Sequence, residues 1–347
     1  MQKFVLFRLI MGLLVALLLT GLVSNCAQTS QGGVTESSQR TPSSKATSVS
    51  TILPTPTPTG SNPVPSQPRA YSTVFMILME NHNWSDIAGN SAAPYINNTL
   101  LPMSSYARSY YNPPGIHPSE PNYLWLEAGA NFGILNDDEP VLNHQSTSMH
   151  LVTLLDHAHI SWKSYQEDIS GTQCPLATSG LYAVKHNPTV FFDDVTSTNN
   201  PQSTFCIAHE RPYTELATDL QRNTGANYNF ITPNICNDMH DSCAPFNNSV
   251  QQGDTWLAHQ IPLILASQAY KNGGVIFITW DEGEGGDGPI GMIMLSPYAK
   301  GKGYSNTIHY THSSALRTVE ELLNVTPLLG DAANATDLAD LFQRFPI

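Results

Sequence analysis

Three short, mainly apolar runs, each followed directly by polar side chains, constrain the fold more than any other feature of the sequence. They span Thr73–Met79, Tyr228–Thr232 and Val275–Trp280. Each run has the length of a β-strand and does not alternate strictly between apolar and polar residues, which is typical of a strand buried on both faces. We therefore predict three central strands with polar residues where each strand ends.

Segments with a helical spacing of apolar residues lie between and after these runs. The predicted helices cover residues 94–109, 121–128, 149–157, 213–222, 253–270 and 311–323. Strands that alternate with helices indicate an α/β fold with a mostly parallel central sheet covered by helices on both faces. Ligands of such sheets bind beyond the carboxyl ends of the strands. The three polar clusters are therefore predicted to converge at one site.

The N-terminal segment has the composition of a targeting sequence. Residues 1–26 combine a basic start, an apolar run and Cys26, which is the layout of a signal peptide of the lipoprotein type. An uncleaved membrane anchor is the alternative. Residues 27–70 are rich in Ser, Thr and Pro, which predicts a disordered linker because little apolar surface is available to bury. Residues 71–347 are expected to form a single domain.

This layout predicts an exported protein, either a cell-envelope lipoprotein held at the membrane by a lipid on Cys26 or a secreted protein. Apart from Cys26 the chain has four cysteines: Cys174, Cys206, Cys236 and Cys243. An even number in an exported chain favours two disulfides, and three pairings are open. We favour Cys174 with Cys206 and Cys236 with Cys243, because each pairing closes a local loop. A structural zinc site is disfavoured because paired Cys-x-x-Cys units are absent from the sequence.

The charge of the chain excludes one class of partner. Its net charge is −13, with 15 lysines and arginines in total. A nucleic acid needs a basic surface, so we expect no nucleic-acid partner. A phosphate group would have to be bound locally, by a metal ion or by helix dipoles.

Two pairs of polar residues at predicted strand ends suit a metal ion. Glu80 and Asn81 follow the first strand, and Asp281 and Glu282 follow the last. Carboxylate and amide oxygens are the ligands of hard divalent cations, so this set favours magnesium, calcium or manganese. The alternative interpretation is that the two glutamates are solvated loop residues.

Ser119 lies just before Pro121, where a short helix is predicted to begin. A serine at this position has two interpretations. It is either the cap of the helix, or a nucleophile placed where the positive end of the helix dipole attracts an anionic group.

Four histidines lie in polar, loop-like surroundings: His117, His186, His240 and His312. Each of them suits metal binding or proton transfer, and each also suits a structural role.

These residues stand in segments that resemble the bacterial phosphoesterase family, which contains acid phosphatases and phospholipases C and belongs to the alkaline-phosphatase-like superfamily. The resembling segments run in order from the first strand to the last helix: Met79–His82, His117–Tyr123, His186–Pro188, Pro233–Asp241, Thr279–Gly283 and Thr311–Ser313. The resemblance implies a three-layer sandwich fold. It also implies that Ser119 is the catalytic nucleophile.

The resemblance further implies one divalent metal ion. Its ligands would be Glu80, Asn81, Ser119, Asp281 and Glu282. Relatives with two zinc ions have Asp-His where this chain has Asp281-Glu282, so one metal is expected, with zinc as an alternative identity.

Roles for the other site residues follow as expectations. Asn122 would hold a phosphoryl oxygen, His240 would assist the water that releases phosphate, and His186 or His312 would protonate the leaving group.

We expect a metal-dependent phosphomonoesterase of the acid phosphatase type that works through a phosphoserine. The substrate would be a small phosphate ester or a phospholipid head group. A phospholipase C or phosphodiesterase is the alternative within catalysis. A solute-binding lipoprotein is the alternative from another class, since an anchor, a linker and an α/β body suit that role as well.

Overall fold

The computed structural model describes residues 71–345. The predicted signal peptide at 1–26, the lipidation of Cys26 and the linker at 27–70 lie outside the described residues and stay predictions. No helix within the described range is long and apolar enough to cross a membrane.

A sheet of eight strands forms the centre of the described region, and two further strands form a small separate sheet. In chain order the strands are β1 Val74–Met79, β2 Ser105–Ala107, β3 Tyr110–Tyr111, β4 Trp162–Gln166, β5 Glu210–Pro212, β6 Tyr228–Thr232, β7 Val275–Trp280, β8 Met292–Leu295, β9 Tyr304–Asn306 and β10 Tyr310–Thr311. The order in the large sheet is β5-β4-β6-β1-β7-β8-β2-β9, and β3 pairs with β10. All pairings are parallel except those of β8 with β7 and β2.

Helices and single turns connect the strands. The α-helices are α1 Trp84–Ile87, α2 Leu101–Met103, α3 Ser119–Ala128, α4 Pro140–Asn143, α5 Leu151–His157, α6 Asp193–Thr196, α7 Thr204–His209, α8 Leu216–Arg222, α9 Ser249–Ala266, α10 Gln268–Lys271 and α11 His312–Leu323. A π-turn covers Ile96–Leu100, and 3-10 turns cover Val184–His186, Pro188–Phe191, Tyr213–Glu215, Gly330–Asn334 and Ala339–Leu341.

The three predicted strands are the centre of the sheet. Every residue of β1, β6 and β7 is buried. Burial along a whole strand requires cover on both faces, which the connecting helices provide. The predicted α/β class with a mostly parallel sheet is confirmed.

The predicted helix at 94–109 is wrong in its second half. The segment begins as a π-turn and a short helix, but Ser105–Ala107 is the strand β2, paired with β8 and β9. Short segments of small and apolar residues satisfy helical and strand patterns alike, and pairing with distant strands decides between them.

Two disulfides join the predicted partners, Cys174 with Cys206 and Cys236 with Cys243. The first closes a loop with a sequence separation of 32 residues and the second one of 7. The favoured pairing is therefore confirmed.

Replacing Cys174 and Cys206 together with serine is expected to lower the free energy of unfolding by about 3 kcal/mol, since the longer loop restrains the unfolded chain more. The same change at Cys236 and Cys243 is expected to cost about 1 kcal/mol less. Equilibrium unfolding in guanidinium measures both values. A larger loss for the short loop would contradict the expectation.

Candidate active site

Polar residues from three neighbouring strands meet at one edge of the sheet. Glu80 directly follows β1, Asp281 directly follows β7, and Asp238 lies in the loop after β6. Backbone hydrogen bonds hold the three segments together, from Glu80 N to Asp238 O (2.8 Å) and from Asp281 N to Met79 O (2.9 Å). Because β6, β1 and β7 are adjacent in the sheet, their carboxyl ends bring these carboxylates into one cluster.

Ser119 is the first residue of α3 and is 1% exposed. Its hydroxyl donates a hydrogen bond of 3.1 Å to Glu80 Oε2. The interpretation of Ser119 as a helix cap is wrong, because Pro118 occupies the cap position. The serine hydroxyl therefore faces the carboxylate cluster at the positive end of the α3 dipole.

Asn81 and Asp281 are joined directly. The backbone N–H of Asn81 donates to Asp281 Oδ1 at 2.9 Å, and Asn81 has a left-handed backbone with φ of 40°. Asparagine tolerates this conformation better than most residues. The turn thus places the Asn81 backbone against the Asp281 carboxylate.

Glu282 is oriented by two neighbours. Its Oε2 lies 2.5 Å from His117 Nδ1 and accepts a hydrogen bond of 3.1 Å from Asn122 Nδ2. The Asn122 amide also donates to the carbonyls of Ile116 and Pro118 and is fully buried. This placement differs from the predicted contact with a phosphoryl oxygen, because the Asn122 amide nitrogen is already engaged in positioning Glu282.

His186 lies between two carboxylates, with Nε2 3.3 Å from Glu80 Oε1 and Nδ1 3.2 Å from Asp238 Oδ2. Its ring stacks on Tyr123 at 5.1 Å, and the Tyr123 hydroxyl donates to Glu80 Oε1 at 2.6 Å. Burial lowers the pKa of His186 well below its usual value, and the charge of Lys185 lowers it further. A buried, neutral imidazole does not suit the predicted donation of a proton to the leaving group.

His312 also differs from its predicted role. Its Nδ1 lies 3.0 Å from the Tyr110 hydroxyl and its Nε2 lies 2.6 Å from the carbonyl oxygen of Asp281. The ring is fully buried, which lowers its pKa to about 4. Both nitrogens are engaged, so His312 holds the Asp281 backbone in place and has no free contact with a leaving group.

His240 is the predicted catalytic histidine that reaches open space. It lines a cavity of about 610 Å³ together with Asn81, His117 and Glu282. Its Nδ1 lies 2.8 Å from Asp241 Oδ1, and its ring centre is 5.7 Å from that of His186. His240 therefore connects the buried cluster with the space that a substrate would enter.

Burial and mutual repulsion make this cluster unfavourable for uncompensated negative charge. Burial raises the pKa of Glu80 well above its usual value, and the charges of Asp281 and Asp238 raise it further. Burial and the charge of Glu282 raise the pKa of Asp281 to about 7. Burial also raises the pKa of Asp238 well above its usual value. A nearby cation would relieve all three effects.

Several buried polar atoms of the cluster have no hydrogen-bond partner among the described residues. They are Asn81 Oδ1, His186 Nε2, Asp238 Oδ2 and Asp281 Oδ2. His186 Nε2 lies close to Glu80, and His186 Nδ1 lies close to Asp238 Oδ2, but neither contact has the geometry of a hydrogen bond. Unsatisfied buried groups are costly, and convergent unsatisfied oxygen and nitrogen atoms are a favourable setting for a metal ion. The donor set therefore fits the predicted divalent metal.

The structure also brings together a second group of candidate ligands. One ligand atom each from Glu80, His186 and His240 lie within 4.8 Å of one another. This triad shares only Glu80 with the predicted ligand set. The two sets adjoin. The identity of the bound metal would distinguish them, because magnesium, calcium and manganese prefer the oxygen ligands of the predicted set, whereas zinc also suits the histidine nitrogens of the triad.

Asp238 and Tyr123 belong to the site but were not among the predicted site residues, although both stand in the segments that carry the resemblance. Asp238 follows a predicted strand and comes two residues before His240, which was the available signal. The Tyr123 contact with Glu80 depends on the direction of α3, and no sequence pattern specified that direction.

Comparison with known proteins identifies the class to which this fold and site belong. The model of the phosphoesterase family matches residues 109–326. The chain belongs to this family and is a phosphoester hydrolase. The solute-binding alternative is therefore wrong.

Individual relatives agree with this class. The chain is 30% identical over 274 residues to phosphatidylinositol-3-phosphatase of Mycobacterium tuberculosis, covering 78% of this chain and 83% of that protein. It is 27% identical to a probable acid phosphatase of Kluyveromyces lactis, covering 78% of this chain and 65% of that protein. The fold is similar to that of a protein in the alkaline phosphatase superfamily from Vibrio parahaemolyticus, with a TM-score of 0.50 at 10% identity, covering 75% and 69% of the two chains.

Proposed function

We propose that the chain is a metal-dependent phosphomonoesterase of the acid phosphatase type that works through a phosphoserine on Ser119. The observation that carries this proposal is the buried Ser119 hydroxyl, hydrogen-bonded to Glu80 at the convergence of three strand ends. In the first step the Ser119 oxygen forms a bond to phosphorus and its proton passes to Glu80 Oε2, to which the hydroxyl already donates, while the bond from phosphorus to the leaving-group oxygen breaks. In the second step water attacks the phosphoserine and phosphate is released, and the proton held by Glu80 returns to the Ser119 oxygen.

Glu80, Asn81, Ser119, Asp281 and Glu282 would hold the divalent metal in this proposal. When bound, such a metal lowers the pKa of the serine hydroxyl and offsets negative charge on the phosphoryl group. The oxygen-rich ligands favour magnesium, calcium or manganese, with zinc as an alternative.

The chain's own groups supply orientation and proton transfer. The α3 dipole favours negative charge at the phosphoryl group bound to Ser119. In-line attack requires the leaving group to depart on the side opposite Ser119, and the water later attacks from that same side. We assign both proton transfers on that side to His240 because it lines the cavity, so it would protonate the leaving oxygen and then accept a proton from water.

We also propose that the protein is exported and held at the membrane through a lipid on Cys26. The two disulfides support an oxidising compartment.

The substrate assignment is tested by a panel measured on one preparation of the full chain. We expect kcat/KM for p-nitrophenyl phosphate to exceed that for bis-p-nitrophenyl phosphate by about 100-fold or more, because the second ester removes a charge that a monoesterase recognises. Phosphatidylinositol 3-phosphate in mixed micelles is the third arm, since a similar protein carries that activity in its name. Phosphatidylcholine in the same micelles is the fourth arm.

A preference for the phosphoinositide over p-nitrophenyl phosphate would identify a lipid phosphatase. A preference for the diester or for intact phosphatidylcholine would replace the monoesterase by the phosphodiesterase or phospholipase C alternative.

A further inference from the structure

The site and the proposed substrate both carry negative charge. Glu80, Asp238, Asp281 and Glu282 bring four carboxylates to the site. A phosphomonoester carries a charge between −1.5 and −2 at pH 7, whereas a diester carries −1. A single divalent metal does not balance both the carboxylates and a dianionic substrate. A positive side chain at the site would therefore favour monoesters over diesters.

Lys185 is the cation that the fold places beside this cluster. It lies in the 3-10 turn Val184–His186, directly before His186, and its side chain is 22% exposed. Its Nζ donates to Asp137 Oδ2 at 2.9 Å. Asp137 Oδ1 in turn accepts from the backbone N–H of Glu120, the residue after Ser119, at 3.0 Å. One carboxylate thus joins the lysine to the start of the nucleophile helix.

The positive charge of Lys185 lowers the pKa values of carboxylates in the site. Burial raises the pKa values of Glu80, Asp238 and Glu282, and the positive charge of Lys185 opposes the rise in each of them. Asp137 is partly exposed, so a phosphoryl oxygen can compete with it for the ammonium group. A lysine on a flexible stem suits such an exchange of partners.

We propose that Lys185 is a specificity-determining residue whose ammonium group pairs with the second negative charge of a phosphomonoester. This inference rests on the proposed phosphomonoesterase function. Asp137 holds the lysine in the free enzyme, and the substrate phosphoryl group takes the place of that carboxylate. A diester lacks the second charge and gains less from the contact.

The test compares Lys185→Met with the wild-type full chain on p-nitrophenyl phosphate and on methyl p-nitrophenyl phosphate, which differ by one ester methyl group. We expect kcat/KM for the monoester to fall about 100-fold and that for the diester to fall less than threefold. Lys185→Arg keeps the charge and is expected to keep the monoester-to-diester ratio within about threefold of wild type.

Lys163→Met is the matched control. Lys163 is also partly buried, with 23% of its side chain exposed. Its Nζ lies 2.5 Å from Asp219 Oδ2, and this pair is outside the site. The Lys163→Met variant is expected to leave the monoester-to-diester ratio unchanged. Thermal unfolding of each variant separates a loss of folding from a loss of specificity, and Lys185→Gln replaces Lys185→Met if the latter does not fold.

The ratio of kcat/KM for the monoester to kcat/KM for the diester tests the role of Lys185. Equal losses on both substrates, or no loss on either, would overturn it. The proposed function fails by a different result, since a wild-type protein that does not hydrolyse the monoester would refute it before any variant is compared.

Discussion

Replacing Ser119 with alanine is expected to lower kcat for p-nitrophenyl phosphate by about four to six orders of magnitude and to abolish the phosphoenzyme. The change removes only the hydroxyl that donates to Glu80 Oε2. Losses of this size are typical when the nucleophile of a covalent mechanism is removed. Turnover assays give the rate. Acid quenching followed by mass spectrometry of the peptide that contains Ser119 detects the phosphorylated intermediate in the wild-type protein.

Ser203→Ala is the matched control for this experiment. Ser203 is also buried at a helix start, where its side chain accepts a hydrogen bond from Cys206 N at the beginning of α7. Its loss is expected to cost about 1 kcal/mol of stability while kcat stays within about twofold. If Ser119→Ala kept a tenth of the activity, or if phosphate were trapped on another residue, the assignment of Ser119 would be wrong.

The sequence was informative wherever one local pattern determined one local structure. β1, β6 and β7 were predictable because a short, mainly apolar run of strand length is most simply interpreted as a buried strand. The convergence of Glu80 and Asp281 then followed from the rule that parallel strands end at one edge. By contrast, β2 was predicted as helix because its assignment depends on its partners β8 and β9, which are distant in sequence.

The roles of the histidines were less predictable for a related reason. The family resemblance implied roles for His186, His240 and His312 at one site, but burial and ring contacts separate them. His312 is fixed by Tyr110 and by the Asp281 carbonyl, whereas His240 lines the cavity. Which face of a ring meets solvent depends on packing between segments that are distant in sequence, as with Tyr110 and His312. No local pattern contains that information.

Replacing Asp281 with asparagine is expected to remove the bound divalent metal and to lower kcat by about three orders of magnitude, which corresponds to several kcal/mol. The asparagine oxygen can keep the hydrogen bond from Asn81 N, so the fold is expected to survive. The new amide nitrogen cannot serve as a ligand where Asp281 Oδ2 now lies without a partner. Elemental analysis of the purified full chain gives the metal content independently of activity.

Three further variants turn this result into a choice between ligand sets. Asp254→Asn is the matched control, because Asp254 is a buried aspartate that accepts from Tyr95 N and Ile96 N instead of facing the cluster. It is expected to retain one metal per chain. If the oxygen-rich set is correct, His186→Asn and His240→Asn also retain the metal, although His240→Asn loses activity. If both histidine variants lose the metal while Asp281→Asn keeps it, the triad of Glu80, His186 and His240 is the site. That outcome would favour zinc, since imidazole nitrogen is a better ligand for zinc than for magnesium or calcium.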